Sequence, residues 1–167
     1  NTLIGGLAGD GLTTGGLNVA VGFGALTTED TGSRNVAIGY EALENQNSDT
    51  TNYNTAVGFQ AGRNITTGTH NTLAGAEAGD ALTDADFNVA LGHNALSTDT
   101  LGSKSTAIGR SALATQNFAT ATDSFNTAVG FNAGVNVTTG VRNTLIGGLA
   151  GDALTDADVN IAIGMSA

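Results

Sequence analysis

Short apolar runs recur along the chain at a near-constant spacing, each closed by glycine and followed three residues later by alanine. Val36-Ala37-Ile38, Thr55-Ala56-Val57 and Ile161-Ala162-Ile163 are typical, and each is preceded by asparagine. The phrase begins at Asn1, Asn18, Asn35, Asn54, Asn71, Asn88, Ser105, Asn126, Asn143 and Asn160, at spacings of 17, 17, 19, 17, 17, 17, 21, 17 and 17 residues. Gly fills the fifth position and Ala the eighth in all ten copies, and Ser105 is the one departure from Asn at the first. Seventeen residues are too few for a helical hairpin, whereas short β-branched runs closed by Gly read as strands. One such strand cannot bury a face alone, but stacked copies can. The pattern predicts an all-β fold: a parallel β-solenoid, or β-roll, of ten coils of about 17 residues, each adding one rung.

A longer period overlies the first. NTLIGGLAGD at 1 returns as NTLAGAEAGD at 71 and NTLIGGLAGD at 143, which divides the single repeat domain 1–167 into four-coil units 1–70, 71–142 and 143–167. The chain starts at the first position of a coil and stops at the eighth, so it reads as a segment of a longer fibre whose ends continue into neighbouring segments. Ten rungs at ~4.8 Å predict a rod about 45–50 Å long.

Three columns are assigned structural roles. Asn18, Asn35, Asn54, Asn71, Asn88, Asn126, Asn143 and Asn160 suit a ladder whose side-chain amides stack and bond from rung to rung, or plain turn chemistry. Gly22, Gly39, Gly58, Gly75, Gly92, Gly109, Gly130 and Gly147 suit a corner that needs positive φ or has no room for a Cβ. The third column is a shared core slot. Where the ninth position is Gly, the twelfth is aliphatic, giving Leu12, Ile65, Leu82, Val137 and Leu154; where the ninth is Leu26, Leu43, Leu96 or Leu113, the twelfth is Glu29, Gln46, Asp99 or Gln116. One interior slot filled from either position explains the rule, since filling it twice overpacks and leaving it empty opens a cavity. On that view a leucine at Asp99 sits in water or overpacks, and Leu96→Gly with Asp99→Leu converts coil six to the pattern of coil five.

Both faces of the strand are apolar: positions two and four are β-branched or aliphatic, and position three, which points the other way, is Ala or Leu. A strand dry on both sides is covered on both sides. One face lines the coil and the other, taken as the Ala/Leu face, meets identical chains.

Composition sharpens this picture. The 167 residues include 25 Gly, six Phe, two Tyr, one Met and no Pro, Cys or Trp, so any core is thin and made of small aliphatic side chains. Without Cys there is no disulfide framework, thiol catalysis or zinc-thiolate site. Five Lys and Arg against fifteen Asp and Glu give a net charge of −10, which leaves no basic footprint for nucleic acid or an anionic membrane.

NVAIGYEAL, NVALGHNAL, STAIGRSAL and NIAIGMSA resemble the head repeats of trimeric autotransporter adhesins, and NTAVGFQAGRNITTGTHNT resembles repeats of phage and bacterial tail-fibre proteins. The likeness spans all ten coils, although these coils are longer than the usual adhesin head repeat. It implies a left-handed roll assembled as a homotrimer at a cell surface, in the extracellular space or on a virion. The function expected is a structural, non-enzymatic fibre segment that presents a receptor-binding tip to a host-surface receptor or glycan. Alternatives are a surface adhesin whose own loops bind ligand, and a monomeric ice- or mineral-binding solenoid.

Candidate chemistry is sparse. His70 and His93 fall at different coil positions with no motif-spaced partners, and no phosphate-loop pattern occurs. No cofactor is expected. Asp80, Asp84 and Asp86, repeated as Asp152, Asp156 and Asp158, are candidate Ca²⁺ ligands, with a solvated edge that resists sheet-to-sheet association as the plainer reading. Asn64 and Asn136 open formal glycosylation sequons, and Thr13, Thr66, Thr83, Thr138 and Thr155 form a broken threonine column. The long coils bulge over Glu44 to Tyr53 and Ala114 to Phe125, where loops carry contacts or are harmless insertions.

Overall fold

The computed structural model describes residues 1–167 and consists of strands and turns, with no helix. In chain order the strands are β1 (Thr2–Ile4), β2 (Val19–Val21), β3 (Val36–Ile38), β4 (Thr55–Val57), β5 (Thr72–Ala74), β6 (Val89–Leu91), β7 (Gly102–Ser103), β8 (Thr106–Ile108), β9 (Thr122–Asp123), β10 (Thr127–Val129), β11 (Thr144–Ile146) and β12 (Ile161–Ile163). All but β7 and β9 join one ten-stranded parallel sheet in sequence order. Position two pairs with position two and three with three, as in Val36↔Thr55 and Ala37↔Ala56. Parallel neighbours need a crossover of a dozen residues or more, and the rest of each coil supplies it without a helix. The result is a parallel β-solenoid of about ten turns.

Glycine at position five is required twice over. At Gly75 φ is +135°, and a Cβ would fall on the backbone of Gly92 in the next rung. The remaining corners are left-handed too, and many of their residues are not glycine. Positions seven, nine and seventeen all sit near φ +55°, among them Leu26, Leu43, Leu96 and Leu113 at position nine. Left-handed backbone at a leucine costs roughly 1 kcal/mol, and burying the side chain offsets it.

The interior is a narrow column of alanine and leucine. Position three is buried throughout the middle rungs (Ala20, Ala37, Ala56, Leu73), as is the alanine at position eight. The expectation that the Ala/Leu face turns outward is therefore corrected. The coil is too tight to admit β-branched side chains from positions two and four, so the smaller residue at three goes inside and its neighbours face out.

The shared slot has three contributors. A Cβ on Gly79 would meet Leu82 Cδ1 at 2.9 Å and Leu73 Cδ2 at 2.9 Å, and one on Gly62 would meet Leu73 Cδ1 at 2.7 Å. Leu73, at position three, thus fills the room that two successive glycines leave, and Leu145 does the same between Gly134 and Gly151. The aliphatic residues at twelve, Ile65 and Leu82, are fully buried as well.

The polar residues at twelve are not in water: Glu29, Gln46, Asp99 and Gln116 are all fully buried. Glu29 Oε1 accepts the N–H groups of Gly32 (2.7 Å) and Ser48 (3.3 Å), and its Oε2 accepts Gln46 Nε2 (2.8 Å). Gln46 Oε1 in turn accepts Asn54 Nδ2 at 2.8 Å. Asp99 Oδ1 likewise accepts Gly102 N–H (3.0 Å) and Phe118 N–H (3.3 Å), while Gln116 donates to Asp99 and to Ser105 Oγ. Each acid lies one rung below a long coil and holds the first residue of its insertion. A buried polar network of this kind is stable because every member finds a partner.

Candidate functional site

The asparagine column is a staple more than an amide stack. Asn54 Oδ1 accepts the backbone N–H of Asn71 at 2.8 Å, and its Nδ2 donates to the carbonyl of Gly68 at 2.7 Å, closing its own coil. Asn18, Asn71, Asn88, Asn126 and Asn143 repeat both bonds or their equivalents. Amide-to-amide bonds occur at a few rungs, as from Asn160 to Asn143. Ser105 is too short to reach the next rung, and Ser124 stands in: its Oγ bonds Ser105 Oγ at 2.6 Å and accepts Asn126 N–H at 3.3 Å. Asn35 has Asn52 in the matching place, at 3.3 Å.

The candidate calcium ligands are not brought together. Asp80 lies on the corner that carries Glu77 and Arg63, and its Oδ1 is buried without a partner. That burial pushes its carboxyl up to about 6. Asp84 accepts Thr67 Oγ1, whereas Asp86 Oδ1 accepts the N–H of Thr69 in the preceding rung at 2.6 Å. Asp158 does the same for Val141 N–H at 2.8 Å, Asp152 accepts Asn136 Nδ2 at its backbone carbonyl, and Asp156 accepts Thr155 Oγ1. No group of three or more acidic or histidine side chains converges on one point. Position sixteen is instead a second side-chain ladder, to which Ser33 and Ser103 also belong, accepting the N–H groups of Gly16 and Asp86.

Around Arg63 a small ion cluster spans adjacent rungs. Its Nε lies 2.8 Å from Glu44 and 3.3 Å from Glu41, and Gln60 Nε2 donates to Glu41 at 2.7 Å. The Gln60 bond holds the Glu41 carboxyl below its ordinary value. The cluster lies half-buried at the surface, within reach of solvent, so it adds little stability.

Sequence reasoning chose the wrong side of the strand as the outward one and so passed over the face that positions two and four form. On the outward face of the ten-stranded sheet, positions two and four line up β-branched and aliphatic side chains that remain partly exposed, among them Ile38, Val57 and Ile146. Position six on one side and the last position of each coil (seventeen in the standard coil, Tyr53 and Phe125 in the long ones) on the other flank this face and hold nearly all the aromatics. Phe23, Tyr40 and Phe59 stack at 5.7 and 5.4 Å; His70 stacks on Phe87 at 4.8 Å and meets Tyr53 tilted at 5.0 Å. Arg34 lies 5.7 Å over Tyr53, and Arg110 lies 5.5 Å over Phe131. The rings are about half exposed (Phe23 51 %, Phe131 52 %). Not one of the fifteen carboxylates occupies these four columns, while four of the five cations do: Arg34, Lys104, Arg110 and Arg142. The signal was present in the sequence as residue type against coil position, and it emerges once outward and inward columns are told apart.

The threonines at position thirteen spend their hydroxyls on the solenoid itself, Thr66 donating to Thr83 O at 3.3 Å and Thr83 to Thr100 O at 3.1 Å. Asn64 and Asn136 are both exposed. The long coils project exposed tips at Asp49–Thr51 and Ala119–Ala121 while Ser48 and Phe118 stay buried. One cavity, of about 350 Å³, lies where the core opens beyond the last complete coil, lined by Leu154, Ile161 and Ala162. No helix is long and apolar enough to cross a membrane. Comparison with family models, with curated proteins and with solved structures finds no match for the chain.

Proposed function

We propose that the chain is a structural, non-enzymatic segment of an extracellular or virion fibre, a left-handed roll assembled as a homotrimer that holds a receptor-binding tip away from a surface. The observation that carries this reading is the outward sheet face, apolar and free of carboxylates over ten rungs, on a chain of net charge −10. A monomer would leave that face in water along its whole length, and contiguous apolar patches of this kind mark association sites. The near-constant 17-residue rung, the paired polar ladders and the thin core suit a rigid spacer better than a cleft. His70 and His93 stand in separate columns, which suits a molecule without acid–base chemistry.

A surface adhesin of the same architecture is the second reading, favoured by the projecting tips of the two long coils. The threonine hydroxyls committed to the rung above argue against an ice-binding face.

Light scattering tests the assembly. The expected mass is about 50 kDa, three times the 16.5 kDa chain. Ile108→Asp with Val129→Asp, both on the outward face, should reduce it to that of one chain without loss of the β-sheet circular dichroism signal. A wild-type monomer at micromolar concentration would overturn the trimer and, with it, the fibre reading.

A further inference from the structure

We propose that the column of residues closing each coil binds an extended acidic polysaccharide, one sugar to a rung, with carboxylates on alternate sugars. This goes beyond the fibre reading and does not depend on it, because it rests on one column of side chains and holds at any number of copies that leaves the column in solvent.

From coil two to coil eight the column alternates without a break. Arg34, His70, Lys104 and Arg142 close the even coils, and Tyr53, Phe87 and Phe125 close the coils between them. The basic residues therefore recur every second rung, roughly 9.6 Å apart at ~4.8 Å per rung. All of these residues are left-handed, from φ +51° at Phe125 to +65° at Arg34. That backbone is costly for large side chains. Burial in the core does not offset it here, because the rings are about half exposed and the four basic residues are exposed. Strained backbone that carries exposed side chains points to a function for those side chains.

The chemistry of the column selects the ligand. Arg34 lies over the Tyr53 ring, Tyr53 and Phe87 flank the His70 ring, and Lys104 lies over Phe125. Neighbouring rungs thus cover the ring faces, and solvent reaches the ring edges, which carry partial positive charge. Cations and edges together form a positive line on a chain of net charge −10. Arg34 and Arg142 have no carboxylate partner, whereas Lys104 pairs with Asp123. Asp86 and Asp158, one position before the column, are held on N–H groups of the preceding rung. A single-stranded nucleic acid needs free ring faces for its bases, and these are covered. A peptide added as a strand needs free backbone groups, but the N–H groups of Arg34, His70, Lys104 and Arg142 already donate to Gly16, Asn52, Asp86 and Ser124. A polysaccharide needs neither. One sugar of an extended β-linked chain is about as long as one rung, so carboxylates on every second sugar match the spacing of the basic residues.

The probe is an unsulfated chondroitin octasaccharide, which carries a carboxylate on every second sugar, labelled for fluorescence anisotropy. At low salt it should bind at least tenfold more tightly than a neutral dextran oligosaccharide of equal length, and added NaCl should weaken it. Arg34→Gln with Arg142→Gln should lower the affinity at least tenfold, and Lys104→Gln by less, because Asp123 already holds that ammonium. Arg34→Tyr with Tyr53→Arg keeps the charge and the rings but moves one cation off the two-rung spacing, and it should weaken binding as much as Arg34→Gln alone. Circular dichroism and light scattering establish that each variant folds and assembles as wild type does; should the exchanged pair misfold, the glutamine variants decide. A wild type that does not bind the octasaccharide would overturn the proposal, as would an exchanged variant that binds it undiminished, or tighter binding of an oligothymidylate. A monomeric wild type that binds the octasaccharide would uphold the column and defeat the fibre reading alone.

Discussion

A leucine at residue 99 would strand three donors at once, the N–H groups of Gly102 and Phe118 and the Gln116 amide. A buried donor left without a partner costs about 1–3 kcal/mol. Asp99→Leu should therefore destabilise by about 3 kcal/mol or more in denaturant melts, and a neutral result would place the side chain in water. Leu96→Gly should cost about 2–4 kcal/mol from the cavity, less about 1 kcal/mol for relieving the left-handed backbone at φ +55°. Combining the two does not recreate coil five, because Leu73 occupies the room beneath Gly79 while coil six has Ala90 at the same place. The pair should recover little, and adding Ala90→Leu should return about 1 kcal/mol or more as the cavity fills. The slot rule was legible because volume must balance. The third contributor stayed hidden because the side of the strand that faces inward could not be read from a strand apolar on both sides. The burial of the polar partners at twelve was not legible, because a carboxylate next to a turn is ordinarily solvated. Only their regular placement, acid then glutamine leading into each long coil, marked them as a clamp.

Within one coil, a three-residue strand, a glycine corner and a left-handed turn decide the stacking. At Gly75 a Cβ meets the backbone of the next rung, and φ +135° is open only to glycine. Gly75→Ala should raise the unfolding rate at least tenfold or prevent folding outright, whereas Gly148→Ala, where the added methyl has only Phe131 O near it at an ordinary 3.9 Å, should leave stability within about 0.5 kcal/mol of wild type. The corner was legible as an invariant glycine. The left-handed leucines were not, since nothing in a leucine advertises positive φ. Asp80, at position ten, predicts a pH response. Burial holds the Asp80 carboxyl at about 6, above its ordinary 3.8, so the folded state takes up a proton more readily than the unfolded chain. Stability contributed there is absent above pH 6 and grows as pH falls through 6. Glu41, held below its ordinary value, acts in the opposite sense only nearer pH 4. The melting temperature should therefore rise between pH 7.5 and 5, and Asp80→Asn should both raise stability at pH 7.5 and flatten the profile. A wild-type profile that falls over this window, or an unchanged one in the variant, would remove Asp80 as the cause.

Over the whole rod, charge is sorted by side: fifteen carboxylates away from the strand face, four of five cations on it. Copies that share that face bring their acidic sides outward, where self-repulsion opposes the compact state. Salt shortens the reach of that repulsion to about 8 Å at 0.15 M. Melting should therefore shift upward by several degrees between 10 and 300 mM NaCl, read as unfolding rates if the transition is irreversible. Calcium separates this from a bound ion. Asp86 and Asp158 already accept backbone N–H groups of the preceding rung, and Asp84 and Asp156 accept threonine hydroxyls, so their oxygens are committed to the solenoid. CaCl₂ and NaCl at equal ionic strength should raise the melting temperature equally, and EDTA should leave it where it was. An additional rise specific to calcium, abolished by Asp84→Asn with Asp86→Asn, would show that the acidic turns rearrange around a cation.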